Sequence, residues 1–221
     1  MSTLLARRHI LLGGASLAAL ALSGCATTGS TRTAAVASAT LPPDVLAMYA
    51  PLPDEQFPIR APDLALVEPK YWRQVVDDPT GEQPGTVVVD TANRFLYLVR
   101  DDGRAMRYGV GIGREGFSWS GRAQIAYKRA WPTWTPPAEM IMRQPELEPY
   151  RTGMAPGPDN PLGARALYIF QDGRDTLYRL HGNQDERAIG SAVSSGCVRL
   201  LQQDVIDLYE RVPSGTPILV V

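Results

Sequence analysis

From Gly85 onward the chain alternates short apolar runs with turn-forming residues. Thr86-Val87-Val88-Val89 and Arg94-Phe95-Leu96-Tyr97-Leu98-Val99 are rich in β-branched and aromatic side chains. Asp90-Thr91-Ala92-Asn93 between them reads as a hairpin turn. Asp102-Gly103 marks the next reversal, followed by a strand from Ala105 to Val110. Leu167–Phe170 and Thr176–Leu180 form a further hairpin through Asp172-Gly173, which places His181 at a strand end. The period then changes. Val205, Leu208, Tyr209 and Val212 recur at i, i+3, i+4 and i+7, the stripe of an amphipathic helix, with Asp204 placed to cap it and Pro213-Ser214-Gly215 to stop it. Pro217 to Val221 reads as a last strand. The expected body, 85–221, is mainly β with one main helix, and it is long enough to bury a core as one domain.

The preceding residues lack this patterning. In 1–24, Arg7-Arg8 precede an apolar run from Ile10 to Leu22, which reads as an export signal and is shorter than the roughly twenty residues of a membrane span. Leu22-Ser23-Gly24-Cys25 resembles a bacterial lipobox, so Cys25 is the expected lipidation site and the only link to a membrane. Residues 25–40, rich in Ala, Thr and Ser, have too little apolar mass to pack and read as a flexible tether. The Pro-rich stretch 41–84 regains Leu46, Tyr49, Phe57, Tyr71 and Trp72. It is expected to lie against the domain, with one short helix around Tyr71 to Val76.

Composition narrows the chemistry. A net charge of −1 provides no basic field for nucleic acid. The chain has two Cys and two His, and Cys25 and His9 belong to the leader. The body therefore holds one thiol, Cys197, and one imidazole, His181, 16 positions apart. This set cannot build a typical zinc site, and the Gly109-x-Gly111-x-Gly113 run, with no helix expected after it, is not a phosphate loop. Those glycines more simply let backbones approach closely. A thiol becomes a good nucleophile once deprotonated, and an imidazole is its usual base. The plainer alternative is a small buried hydrophobe beside a structural histidine. Ser194-Ser195-Gly196-Cys197 favours chemistry, because small residues leave N–H groups free to hold an oxyanion beside the nucleophile. Arg199 suits a substrate carboxylate, or a structural ion pair equally well. The loop 130–163 is long and Pro-rich, and its Trp131 and Trp134 either wall a peptide groove or cover core.

The order His then Cys opposes papain-like proteases. His181-Gly182 followed by Ser195-Gly196-Cys197-Val198-Arg199-Leu200 resembles the L,D-transpeptidases of the YkuD domain family over roughly 85–221. Trp131-Pro132-Thr133-Trp134-Thr135-Pro136-Pro137 and Asn160-Pro161-Leu162-Gly163 are similar to features of the same branch. Ser194-Ser195 stands where many members have Ser-His, so His181 must act alone, its ring held by a backbone carbonyl near Gly182. The resemblance implies a β-sandwich or barrel-like domain that needs no cofactor, with Cys197 as nucleophile and His181 as general base and acid. Ser195, Gly196 and Gly182 would support the oxyanion and the loop, and Arg199, Trp131 and Trp134 the substrate. It implies an enzyme that acts on peptidoglycan stem peptides, and the leader and Cys25 place it as exported to the bacterial cell envelope and lipid-anchored. The thioester would pass to another stem, giving 3→3 cross-links, or to an envelope protein. The alternatives are an L,D-carboxypeptidase on the same scaffold and a non-catalytic wall-binding lipoprotein.

Overall fold

The structure, a computed structural model, describes residues 41–113, 119–194 and 197–221. Its strands are β1 (Gln74–Asp77), β2 (Val87–Asp90), β3 (Phe95–Val99), β4 (Arg104–Gly109), β5 (Ile112–Gly113), β6 (Gly121–Ala130), β7 (Arg165–Gln171), β8 (Arg174–Asn183), β9 (Ala192–Ser194), β10 (Val198–Leu201) and β11 (Thr216–Val220). The helices are α1 (Pro43–Met48), α2 (Ala138–Arg143) and α3 (Gln202–Arg211). Nine strands make one sheet in the order β1-β4-β3-β2-β11-β6-β7-β8-β10, and β5 pairs with β9 apart from it.

The sheet wraps around α3. Val205, Leu208 and Val212 of that helix share one buried cluster with Val87, Leu96 and Tyr108 from one half of the sheet and Leu167, Leu180 and Leu200 from the other. Tyr108 at the far side donates from its hydroxyl to Asp207 of α3 at 2.7 Å. Burial of this apolar set, at ~25 cal/mol per Å², is the main force that closes the two halves over one core. Among the described residues, no helix is long and apolar enough to cross a membrane.

Three expectations need correction. Asp204 does not cap α3: the helix begins at Gln202 after Leu201, and no side chain caps it. The Asp204 carboxylate is fully buried and accepts from the Tyr49 hydroxyl at 3.2 Å. Its side chain points into the interior, toward the segment 41–84, instead of back along its own helix. The region around Tyr71 is a 3-10 turn, Pro69–Tyr71, and Gln74–Asp77 then pairs antiparallel with β4. The open edge of β4 decides the outcome there, because a strand satisfies hydrogen-bonding groups that a helix would leave bare. His181 lies within β8, not at its end. The ten-residue β6 went unsignalled, since Ile125 is its only fully buried residue and a bulge between Ile125 and Tyr127 breaks the alternation.

Segment 41–84 is fastened along the body. Tyr49 O–H also accepts the Arg73 N–H at 2.6 Å, and Arg73 lies 2.9 Å from Asp207 but out of line for a hydrogen bond. Glu55 grips Arg165 at 2.6 and 2.9 Å. Close packing accounts for the glycine run: a Cβ on Gly109 would stand 2.4 Å from Tyr71, and one on Gly111 2.3 Å from the Ala188 carbonyl oxygen.

Candidate active site

The spacing between His181 and Cys197 has a topological cause. β8 and β10 are parallel neighbours, with Leu180 opposite Val198 and His181 opposite Arg199. Parallel strands require a crossover of a dozen or more residues. The crossover here carries the 3-10 turn Glu186–Ala188 and β9. His181 therefore sits on one strand, while Cys197 enters the next strand one residue before its first pair, level with Arg179. Arg179 and His181 are two apart and share a face.

The ring of His181 is 4 % exposed. Its Nδ1–H donates to the Gly182 carbonyl at 2.7 Å, and since a carbonyl only accepts, Nε2 keeps the lone pair. Burial pushes the imidazole down to about 4, against the weaker pull of the Gly182 and Pro161 carbonyls; Arg199 and Arg179 add to the depression. Among the described residues no carboxylate orients it. Gly182 donates its own N–H to Leu162 at 3.1 Å, so that group is spent and its support goes to the histidine ring. A Cβ on Gly182 would stand 2.3 Å from the Gln202 amide oxygen, so a side chain there would push that amide off its hydrogen bond from the Ala164 N–H.

Cys197 keeps partial exposure at the cleft floor. The protein packed around its sulfur pushes the thiol up; a hydrogen bond from the Arg179 backbone and the charges of Arg179 and Arg199 pull the other way without prevailing. At neutral pH the pair is thus a thiol beside a neutral imidazole.

Two cavities meet at Cys197, with Trp134 and Met140 of the long loop between them. One, of about 480 Å³, runs past Arg179, Tyr168 and Leu177. The other, of about 470 Å³, holds His181, Arg199 and Asp159. Asn160 pins the loop that roofs them. It is 1 % exposed, its amide N–H group faces the carbonyls of Pro132, Ala155 and Met154 at 3.0, 3.1 and 3.3 Å, and its Oδ1 accepts from Leu162 at 2.9 Å.

The sequence-derived residues divide. Cys197, His181, Gly182, Arg199 and Trp134 converge. Trp131 does not reach this cleft: it is buried edge-on against Phe57 with ring centres 4.9 Å apart, and its indole N–H donates to Glu55 at 2.9 Å. Its polar tip found a carboxylate on the packed-down segment, which makes it cover for core. Ser195, Gly196 and Cys25 lie outside the described residues. Sequence reasoning missed Arg179, clamped by both oxygens of Asp175 at 2.7 Å and lying 4.4 Å over the Tyr168 ring. Its signal was its place two residues before His181 on the same face.

A lone thiol and a buried, carbonyl-held imidazole on adjacent strands, open to two cavities, form an arrangement suited to covalent acyl transfer. The chain belongs to the YkuD family, the L,D-transpeptidase catalytic domain, which it matches over residues 84–220. It is 37% identical over 143 residues to the probable L,D-transpeptidase YbiS of Escherichia coli strain K12, a match covering 62% of this chain and 44% of that one. The chain thus spans less than half the length of that relative. It is 33% identical over 138 residues to a putative L,D-transpeptidase from the ATP synthase subunits region of Fuscovulum blasticum, covering 61% and 68%. Among solved structures it is similar to a probable carnitine operon oxidoreductase from Brucella melitensis, with TM-score 0.50, 45% identity, and coverage of 72% of this chain and 99% of that one. That printed activity is said of the Brucella protein.

Proposed function

We propose that the protein is an L,D-transpeptidase of the bacterial cell envelope, with Cys197 as nucleophile and His181 as general base and acid. The observation that carries this reading is the junction of two cavities at Cys197, only one of which is lined by His181. The donor, a tetrapeptide stem, lies in the cavity of Arg179 and Tyr168. His181 Nε2 takes the thiol proton as sulfur attacks the carbonyl carbon of the third residue. The C–N bond to the terminal D-alanine breaks, and the imidazolium returns its proton to the leaving amine. The N–H groups of Gly196 and Cys197, beside Ser195, hold the oxyanion.

An acceptor amine then enters from the cavity of His181 and Asp159. His181 removes a proton from it as nitrogen attacks the thioester, the C–S bond breaks, and the thiol is regenerated on return of that proton. Asp159 suits an incoming ammonium, which supports an amine over water as acceptor. The amine belongs to a diamino acid of another stem, giving a 3→3 cross-link, or to an envelope protein. Arg199 places the substrate carboxylate. The residues 1–24 direct export, and a lipid on Cys25 anchors the enzyme through the tether 25–40.

Mass spectrometry of tetrapeptide muropeptides incubated with the protein tests this. Dimers lacking one D-alanine are expected with wild type and absent with Cys197→Ala. Tripeptides without dimers would convert the reading to hydrolysis. No product with either would remove it.

A further inference from the structure

One row of side chains crosses four strands in register. Cys197 is level with Arg179 on β8, Arg179 pairs with Tyr168 on β7, and Tyr168 pairs with Tyr127 on β6. Cross-strand partners share a face, and these rings touch. Arg179 lies 4.4 Å over Tyr168, and Tyr168 stacks on Tyr127 with centroids 4.2 Å apart and planes 17° from parallel. Phe170 closes on Tyr127 edge-on at 5.8 Å. The cavity that starts at Cys197 reaches Tyr168, and Tyr127, stacked on Tyr168 and 36 % exposed, lies next beyond that lining. The row is stiff, since Asp175 holds Arg179 and each ring braces the next. Neither Tyr127 nor Tyr168 spends its hydroxyl on a hydrogen bond among the described residues, and Arg129, 5.6 Å from the Tyr127 ring centre, has no acidic partner among them.

A stiff, partly exposed aromatic ledge with unspent hydroxyls has a surplus of binding capacity that the packing of the fold does not use. Its distance from the nucleophile selects the occupant. Three strand spacings of about 4.8 Å place Tyr127 about 14 Å from the Cys197 row position. The three residues between the attacked carbonyl and the start of a stem span about 10 Å when extended, and the lactyl ether that joins the stem to its sugar covers the remainder. A pyranose presents apolar C–H edges bordered by hydroxyls, which matches tyrosine rings bordered by theirs.

We infer that Tyr168, Tyr127 and Arg129 form a saccharide subsite that binds the amino sugar at the head of the donor stem. The inference rests on the donor placement in the proposed function. With the sugar docked, the stem is stretched along the row and its third carbonyl is delivered to Cys197. The enzyme thereby prefers stems still attached to glycan over free peptides.

Isothermal titration of the full chain carrying Cys197→Ala, with disaccharide-tetrapeptide and with sugar-free tetrapeptide as probes, needs no turnover. The saccharide-bearing probe is expected to bind about tenfold more tightly, and Tyr127→Ala to remove that difference while leaving the free peptide within twofold. Equal affinity for the two probes, or an equal loss on both in Tyr127→Ala, would overturn the subsite. Turnover of either probe by wild type is scored separately. Preferential binding without turnover keeps the subsite and overturns the assigned reaction; turnover without preference does the reverse.

Discussion

The resting protonation state of the Cys197–His181 pair is open to direct measurement. Moving the proton from sulfur to nitrogen costs free energy in proportion to the gap between the two groups. The imidazole is held down to about 4 and the thiol above its ordinary 9.0. A gap of at least about five units is about 7 kcal/mol. Two opposite unit charges in contact, about 4 Å apart at an effective dielectric of about 20, attract by about 4 kcal/mol, which bounds what the new ion pair returns. The neutral pair is therefore favoured by at least about 3 kcal/mol. Alkylation of Cys197 by iodoacetamide, followed by peptide mass mapping so that Cys25 does not interfere, should therefore rise about tenfold per pH unit from 6 to 8. At pH 7 fewer than about one thiol in a hundred is ionised. A plateau across pH 5 to 7 with an inflection near 4 would show a resting thiolate–imidazolium pair and refute the argument. The expected behaviour means that His181 would act during attack and that the resting thiol is a poor target for small oxidants.

Two further perturbations test the supporting structure. Asn160→Ala deletes an amide that satisfies roof-loop carbonyls and the Leu162 N–H. At about 1 kcal/mol for each of about three effective bonds, the loss is about 3 kcal/mol, or about 6–12 °C in Tm by calorimetry; a shift under about 2 °C would show that the roof does not depend on it. Asp204→Asn should expose an opposition between two buried groups. His181 at about 4, below its ordinary 6.5, binds fewer protons folded than unfolded, so its contribution to stability rises with pH between about 4 and 6.5. Asp204, raised by burial to about 7 from 3.8, binds more protons folded, so its contribution falls as pH rises from about 4 to 7. Each is worth about 3–4 kcal/mol, with opposite sign. Asp204→Asn keeps a partner for Tyr49 and removes only the falling arm, so its Tm should climb more steeply than that of wild type between pH 4 and 6.5. Parallel curves would contradict that assignment.

What the sequence revealed follows how locally each feature is determined. The hairpins of β2–β3 and β7–β8 announce themselves through turn residues between β-rich runs, and α3 through its period. Cys197 and His181 were legible because they stand alone in the body. The Gly182 carbonyl as the holder of the His181 ring was also foreseeable, since no second motif histidine is present in Ser194-Ser195. β6 was not legible: Arg122, Gln124, Lys128 and Arg129 hide a strand whose hydrogen-bonding partners, β7 and β11, come much later in the chain. Asp204 misled for a related reason. Its partner Tyr49 lies 155 residues away, and a carboxylate ahead of an apolar stripe looks like a cap until that partner is known.

The same limit applies to the cleft. Trp131 and Trp134 are three positions apart in one Pro-rich run, yet they do opposite jobs. Trp131 is turned inward by Glu55, which the sequence places 76 residues earlier, and Trp134 is left over Cys197. Tyr127, Tyr168 and Arg179 form a row because both ladders keep one register from His181 outward, and the irregularities between Ile125 and Tyr127 and between Tyr168 and Phe170 begin just beyond it. A bulge shifts which side chains face the nucleophile by one residue, and a slip of one residue flips a strand's faces. Composition and motif spacing single out the candidate reacting groups, because the proposed chemistry needs particular residue types. The proposed sugar-binding surface is built from ordinary tyrosines and arginines, and its specificity would lie in register, which only the folded sheet determines.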